Sequence, residues 1–235
     1  MAKHRPPFEV LHFVAKTGFI TFELWKDYFF SARSRRAMFF NWRELTRRNY
    51  LVAHTNYKIS HTLVLNRNEK MVKNLFEGKP AYMPNPNQLH HDEILLKGIL
   101  WLSQRGLIGD WQTEAELKRQ HPQDFRVYVQ GQLLKYPDAI LYLKQEHSEV
   151  AIALEYERTQ KNRKRYEHIL NAYAGMKSLR AIIWIVQDDA IKNIISKEIA
   201  NCHFPLDVRP IAFLAEETWK NNPQKLTELL SEILN

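Results

Sequence analysis

The fold is decided by two stretches, YPDAILYL (136–143) and VAIALEYERTQKNRKRYEHILNAY (150–173). Each contains an apolar run of strand length, and the second continues into a basic segment with apolar residues at helical spacing. Asp138 stands at the head of the first run. Glu155 and Glu157 end the second and share one face, because the side chains of a strand alternate. We therefore expect carboxylates to converge from the ends of two adjacent strands.

Converging carboxylates offer the oxygen ligands that a hard divalent cation such as Mg2+ requires. The residues alone leave two interpretations open. The acids form a working metal site, or they are the remnant of one, in which Glu155 and Glu157 pair with arginines. The arginines near enough in sequence are Arg158, Arg163 and Arg165.

Strands and helices alternate on both sides of these stretches. Apolar residues recur at helical spacing over 89–106, 190–201 and 223–235, whereas 181–187 and 207–215 are typical of strands. WQTEAELKRQ (111–120) is either a strand that enters a helix or a helix throughout. Such alternation predicts an α/β domain whose sheet has helices on both sides.

The net charge of +8 is unevenly distributed. Residues 1–88 hold 15 lysines and arginines against 6 aspartates and glutamates, whereas residues 89–235 hold 19 against 20. A basic excess confined to one part of the chain favours a polyanion-binding module attached to a nearly neutral one.

Several classes of protein have no support in the sequence. Cys202 is the only cysteine, so neither an intrachain disulfide nor a CxxC-type zinc site is expected. No GxGxxG, Walker or GxSxG motif occurs, and so no nucleotide cofactor is expected. The longest apolar runs are too short to span a bilayer, and the basic start resembles no signal peptide. We expect a cytoplasmic protein without a membrane segment.

The first 66 residues predict three helices followed by a β-hairpin. The first helix stops at Gly18, and Thr21 is a plausible N-cap for the second. The third covers 32–49, with Ala37, Phe40 and Leu45 facing inward. Its remaining surface is crowded with arginines. The cations expected to contact DNA are Arg33, Arg35, Arg36, Arg43, Arg47 and Arg48 of this segment and Lys58 of the hairpin.

Two other interpretations of this basic helix remain open. The arginines could merely solvate an exposed helix, although Glu44 is the only acid available to pair with them there. The module could also bind protein. DNA is the favoured partner, because guanidinium groups on a helix can reach guanine edges and phosphates in the major groove.

Prolines and asparagines over residues 67–90 predict a boundary. We expect a DNA-binding domain over 1–78, a linker over 79–90 and an α/β domain over 91–235.

These features resemble two known families. The three helices and hairpin resemble a winged helix-turn-helix domain. In the rest of the chain, an acid follows a proline and an ExE ends the next strand, which resembles the PD-(D/E)XK restriction-endonuclease-like superfamily. That resemblance implies an α/β domain with a central mixed sheet. More narrowly, the chain is similar to the replication-relaxation proteins of plasmids and mobile elements. The stretches that carry this likeness are the helix around His91, 111–114, 136–139, 154–159 and the helix of 161–173.

The resemblance implies roles for particular residues. Asp138 and Glu155 match the two metal-binding acids of the superfamily, which hold Mg2+. A helical glutamate often assists, and Glu93 or, alternatively, Glu114 matches it. Glu157 stands where the family has a catalytic lysine, so the positive charge would have to come from the following segment. The candidates there are Gln160, Lys161 and Lys164, of which Lys161 is preferred.

The resemblance implies a protein that controls replication, transfer or transcription of a plasmid or mobile element. The protein would bind double-stranded DNA and would do so as a homodimer. Because Glu157 replaces the lysine, we expect the nuclease-like domain to be degenerate. The alternative is an active Mg2+-dependent endonuclease or nickase that uses Asp138 and Glu155.

Overall fold

A computed structural model provides the structure of the protein. The residues that it describes are 7–30, 34–47, 49–53, 62–66, 84–120, 122–125, 128–129, 132–133, 135–144, 149–201 and 210–234. The chain divides into two compact units, residues 1–93 and 94–235. Residues 79–83 of the predicted linker lie outside the described ranges.

Three helices of the first unit follow one another in the order that the sequence predicts: α1 (Pro7–Thr17), α2 (Phe22–Tyr28) and α3 (Arg35–Arg47). Helix α1 ends at Gly18, whose positive φ of 91° suits glycine and whose N–H donates to the carbonyl of Val14 at 2.8 Å. Thr21 caps α2, since its hydroxyl accepts from the N–H of Leu24 at 3.2 Å. Both local predictions are confirmed.

A three-stranded antiparallel sheet completes the described part of this unit. Strand β3 (Thr62–Leu65) lies in the middle, between β1 (Ile20–Thr21) and β2 (Leu51–Ala53). The antiparallel pairing of β2 with β3 agrees with the predicted hairpin, whose connection over 54–61 lies outside the described residues. Strand β1 was not predicted, because two residues between helices carry no periodic signal.

The inner face of α3 consists of aromatic residues. Phe39 stacks on Phe22 of α2 at 5.1 Å between ring centroids, and Trp42 meets the same ring edge-on at 5.4 Å. The prediction that Phe40 faces inward is wrong, since 61% of this residue is exposed. At 100° per residue, the packing of Phe39 and Trp42 against Phe22 turns Phe40 away from α2.

The second unit alternates helices and strands, as predicted. Its elements are α4 (Leu89–Gln104, of which the first five residues count with the first unit), β4 (Trp111–Thr113), α5 (Glu114–Gln120), a 3-10 turn (Gln123–Phe125), β5 (Tyr128–Val129), β6 (Gln132–Leu133), β7 (Ala139–Lys144), β8 (Glu149–Glu157), α6 (Arg163–Gly175), β9 (Leu179–Val186), α7 (Asp189–Asn201), β10 (Ile211–Ala215), α8 (Glu216–Asn221) and α9 (Lys225–Leu234). Of the two structures predicted for residues 111–120, the strand that enters a helix is the one found, as β4 and α5.

Five of these strands form a mixed sheet in the order β10-β9-β8-β7-β4. Strands β8, β9 and β10 run parallel, whereas β4 and β7 are antiparallel to their neighbours. Helix α6 connects β8 to β9, which a parallel pair requires. Its inward residues are Tyr166, Ile169, Leu170 and Tyr173, as predicted, and each is 1% exposed. A mixed α/β fold is thus present.

Within the ranges that the structure describes, no helix combines the length and apolar composition needed to cross a membrane.

Gly98 of α4 is a site where packing permits no side chain. A Cβ built there would lie 2.2 Å from Cε2 and Cζ2 of Trp219, which is 1% exposed and whose indole N–H donates to the carbonyl of Ile94 at 3.1 Å. We expect Gly98→Ala to lower the free energy of unfolding by about 1–3 kcal/mol in urea titrations, despite the better helix propensity of alanine. In a Trp219→Leu background the added methyl should cost less than half as much. Equal losses in both backgrounds would contradict the packing argument.

Candidate functional site

Strand register brings three carboxylates to one end of three adjacent strands. Ala139 of β7 pairs with Leu154 of β8, so Asp138 and Glu155 are the next residues along the two antiparallel strands. On the other side of β7, Thr113 pairs with Ala139, and the N–H of Glu114 donates to the Asp138 carbonyl at 2.9 Å. The predicted convergence of Asp138 and Glu155 is therefore present, and Glu114 lies beside Asp138.

Glu155 is the most deeply buried acid of this cluster, with 2% of its side chain exposed. One carboxylate oxygen accepts from the ammonium group of Lys135 and the other from the hydroxyl of Tyr173. Burial, followed by the charge of Asp138, raises the pKa of Glu155 to about 7, although Lys135 and Tyr173 oppose this rise. Burial and then Glu155 raise the pKa of Tyr173, which keeps its proton on the hydroxyl that donates.

Lys135 is the cation of the cluster, and the sequence argument missed it. Its Nζ contacts Glu155 and lies 3.5 Å from Oδ1 of Asp138, with only 12% of the side chain exposed. Burial alone would lower the pKa of this ammonium group, but Asp138 and Glu155 outweigh burial and raise it. Lys135 is therefore charged. Its spacing of three residues before Asp138 is the only signal in the sequence that could have pointed to it.

The other two acids of the cluster also have partners. The second oxygen of Asp138, Oδ2, accepts from the backbone N–H of Tyr156 at 2.9 Å. Glu114 pairs with Lys118 one helical turn later at 3.0 Å. Burial, followed by the charge of Asp138, raises the pKa of Glu114.

Glu157 belongs to a separate pair on the same face of β8. Only 3% of its side chain is exposed, and it accepts from the ammonium group of Lys161, the cation that the sequence preferred. The N–H of Lys161 donates to the hydroxyl of Tyr166 at 3.1 Å, which fixes the chain at this point. Lys164, the other candidate, is exposed on α6. A catalytic role for Lys161 stays a prediction.

The predicted pairing of Glu155 and Glu157 with arginines is wrong as to the partners. Arg158 lies 3.5 Å from Glu216, and Arg163 lies 3.3 Å from Glu198. Arg158 and Arg163 thus pair with other acids, and lysines contact both acids of the ExE.

The arrangement does not fit a divalent ion. Mg2+ takes six oxygen ligands in octahedral geometry, whereas both oxygens of Glu155 and Oδ2 of Asp138 accept hydrogen bonds from the protein, and Lys135 contacts both acids. Among the described residues, no group of three or more His, Cys, Asp or Glu side chains is arranged to hold a metal ion.

Glu93, the predicted assisting ligand, counts with the first unit. It is buried, and the hydroxyl of Thr21 donates to its carboxylate at 2.8 Å. Its metal role stays a prediction.

Helix α3 presents a charged stripe to solvent. Arg36, Phe40, Arg43 and Arg47 recur at helical spacing, and all four are exposed. Arg47 also pairs with Glu44 at 3.1 Å. Of the other predicted DNA contacts, Arg33, Arg48 and Lys58 lie outside the described residues, and Arg35 lies in the helix without a described side chain.

Comparison with family models, curated proteins and solved structures gave no match to this chain. Its resemblance to the replication-relaxation proteins therefore rests on the short stretches quoted above.

Removal of Lys135 tests the electrostatics of the cluster. Lys135→Met leaves Glu155 buried without its cation, and we expect the free energy of unfolding to fall by about 3–5 kcal/mol in urea titrations. The matched control is Lys118→Met. This lysine also pairs with a glutamate, but 44% of it is exposed, so the loss should stay below about 1 kcal/mol. Similar losses in the two variants would show that burial does not set the strength of the Lys135 pair.

Proposed function

We propose that this chain is a DNA-binding protein of the plasmid or mobile-element type. It controls replication, transfer or transcription of the element in the cytoplasm. A winged helix-turn-helix domain supplies the affinity for DNA, and a restriction-endonuclease-like domain follows that has lost metal-dependent cleavage. The exposed stripe on α3 is the observation that carries the DNA-binding part.

The first unit supports a winged helix by the order of its elements. Helix α1 and the short strand β1 precede α2 and α3. Strands β2 and β3 follow, and β3 pairs antiparallel with both β1 and β2. In helix-turn-helix proteins the helix that follows the turn enters the major groove. Here that helix is α3, which is about 20 Å long, and its aromatic inner face leaves the opposite side exposed.

The chemistry of the exposed side matches a nucleic acid. Arg36, Arg43 and Arg47 can bond phosphates or guanine edges, because a guanidinium group donates in a planar fork. Glu44 is the one acid within α3, and it pairs with Arg47. The major groove, about 12 Å wide, admits a helix with its side chains. A homodimer that places two such helices one DNA turn apart is the corresponding assembly.

The second unit supports a nuclease-like fold without nuclease chemistry. Asp138 and Glu155 stand at the ends of adjacent strands of a mixed sheet, as in the PD-(D/E)XK pattern. However, Glu157 occupies the lysine position and is paired with Lys161, and Lys135 forms ion pairs with both Asp138 and Glu155. The positive charges near the acids are thus used within the protein.

An active Mg2+-dependent endonuclease is the second candidate, and one observation favours it. Asp138 and Glu155 contact the same cation, Lys135, and so lie close enough to share an ion. This candidate requires the ammonium group to leave, which the buried hydrogen bonds oppose.

Duplex binding tests the role of α3. We expect the wild-type protein to bind double-stranded DNA with an affinity that falls steeply as salt is added. Arg36→Ala and Arg43→Ala should each weaken binding and reduce the slope of log K against log salt by about 0.9. The matched control is Arg180→Ala, which removes an exposed arginine of β9 and should leave both values unchanged. Unchanged binding in both α3 variants would remove this helix from the interface.

A plasmid-nicking assay separates the two candidates. With Mg2+ or Mn2+, we expect no cleavage by the wild-type protein, while duplex binding persists. Asp138→Ala and Glu155→Ala serve as controls for a contaminating nuclease, because cleavage that survives in both does not come from this site. Metal-dependent nicking that both substitutions abolish would establish the endonuclease instead.

A further inference from the structure

The ammonium group of Lys135 is surrounded in the way that a bound cation would be. It contacts Oε2 of Glu155 and lies 3.5 Å from Oδ1 of Asp138. The side chain of Lys135 is 12% exposed, that of Asp138 15% and that of Glu155 2%. The ammonium group supplies a positive charge and N–H donors, and both suit the carboxylate oxygens of Glu155 and Asp138.

The remaining acceptors are satisfied in a way that suits an ammonium group rather than a metal ion. Tyr173 donates to Oε1 of Glu155, and the N–H of Tyr156 donates to Oδ2 of Asp138. Each acid therefore has one oxygen held by a neutral donor and one directed at Lys135. A divalent ion would have to displace Lys135 to reach either of these oxygens.

Buried neighbours in the chain fix the position of Lys135. Tyr136, which follows it, is 1% exposed, and Pro137 is buried as well, so the chain between the lysine and Asp138 is held in the core. Proline also fixes its own backbone angle and restricts that of the residue before it. These constraints hold the start of the lysine side chain close to the acid that its ammonium group neutralises.

We propose that Lys135 is an internal replacement for a divalent cation, and that it excludes such an ion from a site that Asp138 and Glu155 would otherwise form. Without the ammonium group, the negative charge of these two acids has no cation beside it, and Glu114 lies nearby. Divalent cations of the Mg2+ and Mn2+ class, which take carboxylate oxygens, are the ligands that this charge selects. This role of Lys135 rests on the proposed function, and it would give the loss of metal-dependent cleavage a physical cause.

Mn2+ binding to the untagged full chain, measured by titration calorimetry, tests the proposal. The wild-type protein and Glu155→Gln should show the same weak binding, because the ion does not reach Glu155 in either. Lys135→Gln keeps a hydrogen-bond donor but removes the charge, and should bind Mn2+ more than about tenfold more tightly, as loss of a like charge at ion-pair distance requires. Mn2+ should also raise the melting temperature of this variant but not that of the wild type.

Two further variants define the site. Lys135→Gln/Glu155→Gln should lose the gain in affinity, because a ligand is missing. Lys118→Gln, which removes the more exposed lysine beside Glu114, should bind Mn2+ like the wild type. A folded Lys135→Gln protein that gains no affinity would overturn the proposal. So would Mn2+ binding by the wild type that Glu155→Gln abolishes, and this comparison needs no variant at Lys135.

Failure of the Lys135 proposal can be distinguished from failure of the proposed function. Wild-type protein that binds Mn2+ through Glu155 but cleaves no DNA overturns the role of Lys135 alone. Wild-type protein that fails to bind duplex DNA overturns the proposed DNA-binding function, whereas the Mn2+ results for Lys135→Gln stand unaffected.

Discussion

The antiparallel pairing of β7 with β8 is the constraint on which the acid cluster depends. With Ala139 opposite Leu154, Asp138 comes level with Glu155, and Lys135 reaches both. A slip by one residue would turn the side chains of one strand to the other face of the sheet. Glu155 would then leave Lys135 and Tyr173 and would be buried without a partner. Apolar side chains buried along β8 and β9 oppose that slip.

Two ionised carboxylates that lie together inside a protein require a positive charge beside them. Each loses its hydration, and each repels the other, as the raised pKa of Glu155 records. An active metal site meets this demand with an ion from solution, which must be able to enter and leave. A lysine from the same chain meets it without an ion from solution. Both solutions use the same acids, so the acids alone do not distinguish an enzyme from a regulator.

Periodicity explains which features could be predicted from the sequence. The shared face of Glu155 and Glu157 and the buried side of α6 follow from regular spacing within one element. The strand predicted over 181–187, found over Leu179–Val186, follows from an unbroken apolar run. Lys135 could not be found in this way, because it precedes β7 in a segment without a regular pattern. Phe40 was misplaced for a different reason. Adjacent aromatic residues on α3 offer overlapping apolar stripes, and the contacts with Phe22 and Trp25 of α2 select the stripe of Phe39 and Trp42.

The two units use their cations in opposite ways. On α3, Arg36 and Arg43 project into solvent, where an external polyanion can reach them. In the second unit, Lys135 and Lys161 are turned onto Glu155 and Glu157 and neutralise charges of the protein itself. Attraction for DNA under the proposed function therefore belongs to the first unit, in line with its basic excess. A nuclease needs free positive charge beside its acids to stabilise the scissile phosphate. A protein that only binds DNA does not, and in this chain the cations beside the acids are committed to the fold.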